Sequence, residues 1–259
     1  MSRALENKVA VITGAGSGIG RATAQLFAER GARLLLAARR EAPLQDLVRS
    51  LGEDRAAYLC IDVTKQQDNE RLFDEAQRKF RGCDIFVASA GAEGVSELIE
   101  NYPIDVFDEV MAVNVRGVFL GLQSAMPMMR TRGGGSIVIV SSIAGIKARN
   151  THNSAYVASK HAEVGLTRTA AMEGAPHNIR VNVCCPARPT QRWCGGSKRA
   201  ARLARRRRRA RRSWLSCRSD ATEPRRRWRS SSRSWRAMRR AFPRVGCSRR
   251  MGGCRLFSF

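Results

Sequence analysis

Hydrophobic and polar positions form two kinds of segment over residues 1–186. Short runs of β-branched and aliphatic residues predict strands. The longer segments between them repeat apolar residues at helical intervals and stop at Gly31, Gly52 and Gly82. The run at 137–140 is apolar at every position, which is typical of a strand buried on both faces. We therefore predict an α/β fold in which a doubly wound parallel sheet carries helices on both faces. The predicted strands are 9–13, 34–37, 57–61, 85–88, 137–141 and 181–184.

This pattern ends at Pro186, where the composition also changes. Residues 187–259 carry 25 Lys and Arg against two acids, so +23 of the chain's formal charge of +25 lies there. All four tryptophans lie in the same stretch, and its apolar residues follow neither a helical nor a strand period. Such a segment buries too little surface to offset its conformational entropy. We predict one folded domain over 1–186 and a disordered arginine-rich tail over 187–259.

The rest of the composition argues against several classes of protein. No apolar run reaches the length of about 18 residues that a membrane helix needs. The N-terminus enters the first predicted strand without a secretory pattern, so we expect a cytoplasmic protein. Eight cysteines without a C-x-x-C pair and three histidines without ligand spacing predict neither a disulfide framework nor a metal site.

A glycine-rich turn follows the first predicted strand and opens a helix. It reads Thr-Gly-Ala-Gly-Ser-Gly-Ile-Gly over 13–20. Its glycines permit a tight turn and close helix packing, and the helix N-terminus offers free amides to a pyrophosphate. Any tight strand–helix connection uses glycine, so a purely structural turn is the alternative. Its place after the first strand of an alternating chain favours a dinucleotide site of Rossmann-like type. The residues assigned to it are Thr13, Gly14, Ser17, Gly18, Ile19 and Gly20.

Further motifs follow in order, and with this turn they resemble the short-chain dehydrogenase/reductase family. The family's version of the glycine fingerprint is Thr-Gly-x-x-x-Gly-x-Gly, which 13–20 matches. The other matching positions are Asp62-Val63, Ala90-Gly91, Asn114, Ser142, Tyr156, Lys160 and Asn182. Together they cover the first 186 residues. The resemblance implies a homo-oligomeric oxidoreductase that transfers hydride between NAD(P) and a small-molecule carbonyl or alcohol.

Four of these positions carry the candidate catalytic chemistry. Tyr156 and Lys160 stand at i and i+4, so on a helix an ammonium lies beside a phenol. We expect this to lower the pKa of the phenol and let it exchange a proton with a substrate oxygen. Ser142 follows a strand at the ligand edge of the sheet, where its hydroxyl can hold that oxygen. The resemblance implies that Asn114 orders a helix and a proton-relay water. Each residue alone also fits a solvated helix face, a turn or a satisfied backbone group, and their joint occurrence favours catalysis.

The end of the second predicted strand indicates which cofactor is bound. A carboxylate there would accept hydrogen bonds from the adenosine ribose and favour NAD, but the position holds Ala38, followed by Arg39 and Arg40. Guanidinium groups suit a 2′-phosphate, so we favour NADP(H), with NAD(H) as the alternative. The rival interpretation is that these arginines merely begin a solvated helix. The residues that the resemblance adds to the cofactor site are Asp62 and Val63 at the adenine, Ala90, Gly91, Asn114, Tyr156 and Lys160.

The chain departs from the family at two places. Ser89 stands where the family usually has the Asn of Asn-Ala-Gly, and arginines follow Pro186 where the family continues with Gly and a substrate segment. Codons for 187–193 can be chosen so that the neighbouring frame reads Gly-Pro-Thr-Asp-Thr-Ala-Leu, as the family does. In the same frame, 244–253 permits Thr-Gly-Gly-Val-Leu-Pro-Ala-Asp-Gly-Gly. Our hypothesis is that a frameshift near codon 187 produced a non-native tail.

Such a frameshift has consequences for function. The resemblance assigns to the lost segment the substrate lid, an edge strand and part of the subunit interface. We therefore expect impaired turnover, loss of part of the surface that forms the family's homo-oligomer, and an unpaired edge on the strand at 181–184. Two other functions stay open. They are a catalytically inactive nucleotide-binding remnant and an arginine-rich protein that binds nucleic acid through its tail, which can bind it unspecifically in any case.

Overall fold

The computed structural model describes residues 4–147 and 152–186, together with the backbone of two short strands at 250–251 and 254–257. Strands and helices alternate over the first 186 residues, as the hydrophobic pattern predicts. The strands there are β1 Val9–Thr13, β2 Arg33–Ala38, β3 Ala56–Cys60, β4 Ile85–Ala88, β5 Gly135–Val140 and β6 Ile179–Pro186. The α-helices are α1 Gly18–Glu29, α2 Ala42–Leu51, α3 Gln66–Phe80, α4 Ile104–Met111, α5 Gly117–Thr131 and α6 Ser154–Gly174. A π-helical turn, Ala112–Arg116, joins α4 to α5.

These six strands form a parallel sheet in the order β3-β2-β1-β4-β5-β6. The order reverses between β1 and β4, which is the switch point where such sheets bind ligands. The predicted doubly wound α/β fold is confirmed. β6 is longer than the predicted 181–184, because its ladder with β5 begins where Gly135 faces Ile179.

Both faces of the sheet are covered, since alternate residues of one strand enter two different cores. Val9 and Val11 of β1 pack in a core built from α3, α5 and the end of α6. Ala10 and Ile12 pack in a second core with residues of α1 and α2. This division explains why the strands read as continuous apolar runs. Cys83 lies in the first core, where burial raises the pKa of its thiol to about 12, so it behaves as a small apolar side chain.

The edge of β6 is paired, which corrects the expectation of an unpaired strand. Cys254–Phe257 forms β8 and runs antiparallel to β6, with Val183 facing Phe257 and Pro186 facing Cys254. A two-residue strand, β7 Arg250–Met251, pairs with β8 in turn. The composition of the tail gave no sign of this pairing, because a sheet edge accepts any extended backbone, whatever its side chains. The remaining positions of 187–259 lie outside the described residues, so disorder there stays a prediction.

Two further searches apply to the described part of the chain. No helix there is long and apolar enough to cross a membrane. Nor do those residues bring three or more His, Cys, Asp or Glu side chains together where a metal ion could bind.

Candidate active site

The glycine turn between β1 and α1 leaves room for a ligand at the helix N-terminus. Gly14 and Gly18 have φ angles of 68° and 55°, in the left-handed region that favours glycine. A Cβ added at Gly18 would meet nothing within 4 Å. Ser17 precedes the helix, and its side chain makes no capping hydrogen bond. The first N–H groups of α1, including those of Ile19 and Gly20, have no partner within the helix and can bind an anion.

The same turn packs tightly on the loop that follows β4. A Cβ at Gly14 would lie 2.7 Å from the backbone nitrogen of Ala90. The buried hydroxyl of Thr13 accepts hydrogen bonds from the backbone N–H groups of Ser89 at 3.3 Å and Ala90 at 3.5 Å. These contacts use the backbone of Ser89, so the serine in place of the family's asparagine leaves them intact. The predicted residues Ala90 and Gly91 therefore lie beside the glycine turn.

The end of β2 lies next to the glycine turn on its other side. The Cβ of Ala38 is 3.6 Å from where a Cβ at Gly16 would stand. Arg39 is exposed, and its positive charge acts on Asp62, which follows β3. Partial burial tends to raise the pKa of Asp62, but two hydrogen bonds from Thr64 and the charges of Arg39 and Lys65 hold it below its usual value. This surface therefore combines an exposed arginine with a carboxylate whose pKa is lowered.

Val63, predicted to meet the adenine, also has a structural contact. It packs against the first core, and its Cγ2 would lie 2.9 Å from a Cβ at Gly117, where α5 begins. Glycine at that position lets α5 approach the loop that carries Asp62 and Val63.

Asn114 is fully buried in the π-helical turn and connects two parts of the site. Its Oδ1 accepts from the backbone N–H of Ala92 at 2.7 Å, and its Nδ2 donates to the carbonyl of Ala92 at 2.9 Å. Nδ2 also donates to the Ser159 hydroxyl at 2.9 Å, which in turn donates to the carbonyl of Tyr156 at 2.9 Å. The asparagine thus ties the loop after β4 to α6. π-Helical turns inside helices are frequent at functional sites.

Ser142 and Tyr156 meet at the carboxyl end of β5. The Ser142 hydroxyl caps a short 3₁₀ turn by accepting from the N–H of Ala144 at 3.2 Å, and it is hydrogen-bonded to the Tyr156 side chain. Tyr156 lies in the first turn of α6 and is half-buried. Two hydroxyls are therefore adjacent at the edge where parallel sheets bind ligands.

Lys160 lies one turn further along α6, and its ammonium is buried. Nζ stands 5.6 Å from the centre of the Tyr156 ring and donates to the carbonyl of Val140 at 3.2 Å. It also forms an ion pair with Glu163 Oε1 at 2.7 Å. The sequence interpretation did not include Glu163 or Ser159. The sequence does contain a signal for the ion pair, because Glu163 is an acid three residues after Lys160 on the same predicted helix.

The expectation that Lys160 lowers the pKa of Tyr156 was wrong for this arrangement. Burial raises the pKa of the Tyr156 phenol, the hydrogen bond with Ser142 lowers it, and the negative charges of Glu163 and Glu93 raise it further. The net shift is upward chiefly because the side chain is buried.

A family model described as short chain dehydrogenase matches residues 8–190. The chain belongs to this family. It is 39% identical over 182 residues to an NAD-dependent glycerol dehydrogenase from Listeria innocua serovar 6a, covering 70% of each chain. It is also 39% identical over 185 residues to a mitochondrial borneol dehydrogenase from Lavandula x intermedia, covering 71% of this chain and 70% of that one. Its structure matches NAD+-bound xylitol dehydrogenase with a TM-score of 0.69 and 36% identity, covering 71% of both chains.

As a short chain dehydrogenase, the protein is an oxidoreductase that transfers hydride between a nicotinamide cofactor and a small-molecule substrate. The residues present fit such a cofactor. There is open space at Gly18, and the first amides of α1 have no partner within the helix, so a pyrophosphate can bind there. The assignment of Asp62 and Val63 to the adenine stays a prediction.

The close packing at Gly14 predicts a specific defect in cofactor binding. Gly14→Ala is expected to weaken NADPH binding about tenfold or more, because it adds left-handed backbone strain and forces the Ala90 loop away. Fluorescence titration of bound NADPH measures the change. Gly133→Ala is the matched control, since its φ of 80° creates the same strain while its Cβ would meet nothing within 4 Å. Equal NADPH affinities in the two variants would contradict the assignment.

Proposed function

We propose that this short chain dehydrogenase interconverts a ketone or aldehyde and the corresponding alcohol with NADP(H), using Asn114, Ser142, Tyr156 and Lys160. One observation carries the proposal: Ser142 after β5 and Tyr156 in the first turn of α6 lie close enough at the carboxyl edge of the sheet for the serine to lower the pKa of the phenol. The glycine turn lies on this same edge of the sheet. The turn follows β1 and Ser142 follows β5, and these two strands are parallel.

The bound nicotinamide supplies or accepts the hydride. Ser142 holds the substrate oxygen by a hydrogen bond and orients it towards the Tyr156 phenol. In reduction Tyr156 donates its proton to that oxygen, and in oxidation the phenolate takes the proton back. Burial and the raised pKa keep Tyr156 protonated at neutral pH, which suits the reductive direction.

Asn114 and Lys160 contribute to this step by their contacts with the residues around Tyr156. Asn114 holds the Ala92 loop and, through Ser159, the first turn of α6, so it fixes where Tyr156 stands relative to the cofactor loop. Lys160 Nζ lies 5.6 Å from the centre of the Tyr156 ring, and the family resemblance assigns this residue to the cofactor site.

The first test is turnover itself. Purified protein incubated with NADPH and a panel of aliphatic and aromatic ketones should consume NADPH with at least one of them. Tight NADPH binding with no consumption across the panel would instead favour an inactive nucleotide-binding remnant.

The preference for NADP(H) rests on the end of β2. Ala38 offers no carboxylate to the ribose hydroxyls, and the exposed Arg39 lies close enough to influence Asp62. A guanidinium binds a phosphate through charge-assisted hydrogen bonds. The relatives described above include an NAD-dependent enzyme and an NAD+-bound structure, so cofactor preference is a property to measure on this chain.

Titration with both cofactors tests this preference. NADPH is expected to bind about tenfold more tightly than NADH, because a hydrogen bond to a charged group contributes about 1.5–3 kcal/mol. Arg39→Gln should remove most of this difference, and Ala38→Asp should reverse it. Arg49→Gln is the control, since it removes an exposed arginine from α2 that pairs with Asp46. If wild-type protein binds NADH at least as tightly as NADPH, the preference is refuted.

A further inference from the structure

The loop between β3 and α3 is held by side chains of the helix that follows it. This loop, residues 61–65, contains Asp62 and Val63, the two residues predicted to meet the adenine. Asp68 and Asn69 lie in the first turn of α3. Both side chains form hydrogen bonds with the backbone of the loop.

Asp68 connects the start of the loop to the helix. Its Oδ2 accepts a hydrogen bond from the backbone N–H of Asp62 at 2.7 Å. Its Oδ1 lies 3.3 Å from Arg71 Nη2, which also donates to the carbonyl of Cys60 at 2.9 Å. One carboxylate and one guanidinium therefore fix both the last residue of β3 and the start of the loop to α3.

Asn69 holds the second part of the loop from inside the protein. The residue is 1% exposed, and its Nδ2 donates to the carbonyls of Val63 at 2.9 Å and Lys65 at 2.8 Å. Its Oδ1 is buried and has no hydrogen-bond partner among the described residues. An unsatisfied buried acceptor is unfavourable. The polar contacts that offset this penalty are the two hydrogen bonds to the loop.

Other hydrogen bonds of the loop are internal and give it only a local shape. The N–H and the hydroxyl of Thr64 donate to the Asp62 carboxylate, and the N–H of Lys65 donates to the Asp62 carbonyl. Bonds of this kind move with the loop. Where the loop lies relative to the sheet depends on contacts with other elements, and three such hydrogen bonds come from Asp68 and Asn69.

We infer that Asp68 and Asn69 are positioning residues that hold the loop 61–65, before any nucleotide binds, in the shape that receives the adenosine half of NADP(H). This inference rests on the proposed function and on the prediction that Asp62 and Val63 meet the adenine. A loop that already has its bound shape loses little conformational entropy on binding, so the adenosine half binds more tightly.

Glu75 provides a matched control for Asp68 within the same helix. Each acid forms an ion pair with an arginine three residues later, Asp68 with Arg71 at 3.3 Å and Glu75 with Arg78 at 2.7 Å. Asp68 also accepts a hydrogen bond from the loop, whereas Glu75 lies two turns further along α3. Comparing Asp68→Ala with Glu75→Ala therefore separates the contact with the loop from the loss of an ion pair.

Thr167 provides the corresponding control for Asn69. It is fully buried, and its hydroxyl donates to the backbone carbonyl of Glu163 at 2.7 Å. Thr167→Val and Asn69→Leu both replace a buried polar side chain that binds backbone carbonyls with an apolar one. Only Asn69 binds the loop, so a general loss of stability would affect both variants.

Calorimetric titration with adenosine 2′,5′-bisphosphate and with NADPH tests the inference. Asp68→Ala and Asn69→Leu are each expected to bind adenosine 2′,5′-bisphosphate about tenfold more weakly, as a loop does that keeps its bound shape for about a tenth of the time. NADPH should lose affinity by the same factor, because it carries the same adenosine half. Glu75→Ala and Thr167→Val should bind both ligands as wild-type protein does.

Three results of these titrations would overturn the inference. The first is unchanged affinity for adenosine 2′,5′-bisphosphate in Asp68→Ala and Asn69→Leu. The second is an equal loss of affinity in the two control variants. The third is a loss confined to NADPH, which would place the defect at the other half of the cofactor. Asp68 is partly exposed, so Asp68→Ala keeps the test decisive if Asn69→Leu does not fold.

Hydrogen exchange without nucleotide separates this inference from the proposed function. The amides of residues 61–65 should exchange about tenfold faster in both variants than in wild-type protein, while residues 72–80 of α3 exchange at the wild-type rate. Unchanged exchange of the loop would refute the inference even in a protein that binds no nucleotide. Wild-type protein that binds neither NADPH nor NADH would refute the proposed function, and the exchange rates would still decide whether Asp68 and Asn69 position the loop.

Discussion

Restoring one base near codon 187 is expected to raise turnover about a hundredfold over that of the present chain, because a displaced or absent substrate segment costs about this much. β6 runs parallel to β5, so its carboxyl end at Pro186 lies on the same edge of the sheet as Ser142 and Tyr156. Whatever follows Pro186 therefore begins beside the candidate site. The residues that follow are rich in arginine, and nothing in their pattern predicts a lid.

The match to the family model ends close to the codon at which the hypothesis places the break. The family model matches residues 8–190, and the matched relatives are covered over 70% of their own length. The experiment begins with the gene, because the hypothesis predicts that one added base yields a continuing dehydrogenase sequence. Both chains are then expressed, and NADPH consumption is measured with the same ketone panel. A gene carrying two added bases, which enters the third frame, is the control.

Two results would contradict the frameshift hypothesis. One is a restored frame that meets a stop codon or encodes no dehydrogenase-like sequence. The other is a present chain that already matches the turnover of the frame-restored protein. Cys254–Phe257 pairs with Val183–Pro186, the carboxyl half of β6. Poor activity is therefore expected from a missing substrate segment rather than from an open edge next to the site.

Tyr156→Phe is expected to lower kcat by about 10²–10⁴-fold, the usual contribution of a general acid or base. The change removes only the phenol oxygen, so the ring stays in place over Lys160 and NADPH affinity should be unaffected. Steady-state kinetics on the most active form of the protein, with NADPH titration alongside, measures both quantities. Tyr58→Phe is the control, because it removes a hydroxyl that binds Glu41 and Gln45 away from the site. A kcat within a few-fold of wild type would remove Tyr156 from the mechanism.

The direction of the pKa shift also predicts how the two reactions depend on pH. The folded-state pKa of Tyr156 lies above its usual value, chiefly because the side chain is buried. Reduction needs the protonated phenol, so its rate should hold through neutral pH and fall only as pH passes this raised pKa. Oxidation needs the phenolate, so its rate should keep rising beyond pH of about 10, the ordinary value for tyrosine. An oxidation profile that levels off near neutral pH would contradict the raised pKa.

The sequence predicted the fold because its signals are local and repeated. The apolar run 137–140 forms part of β5, where Ile137 and Ile139 are buried and Val138 and Val140 are partly buried on the other face. Gly31, Gly52 and Gly82 follow the ends of the helices between the strands, as predicted. The placement of Gly14 and Gly18 in the left-handed region was also predictable, since the tight turn after β1 requires it. The roles of Ser142, Tyr156 and Lys160 remain proposals, although the fold brings these side chains to one edge.

What the sequence by itself determined is the family, the parallel sheet and the positions that line its carboxyl edge, because period and motif order are properties of neighbouring residues. Only the tertiary structure decided how charge is distributed there. The pKa of Tyr156 depends on the burial of its side chain, on Ser142 after β5 and on the charges of Glu163 and Glu93. Whether the edge of β6 is paired likewise depends on a segment about 70 residues further along the chain. Electrostatic energies and sheet pairing are set by distances and solvent exposure, which residue spacing alone does not specify.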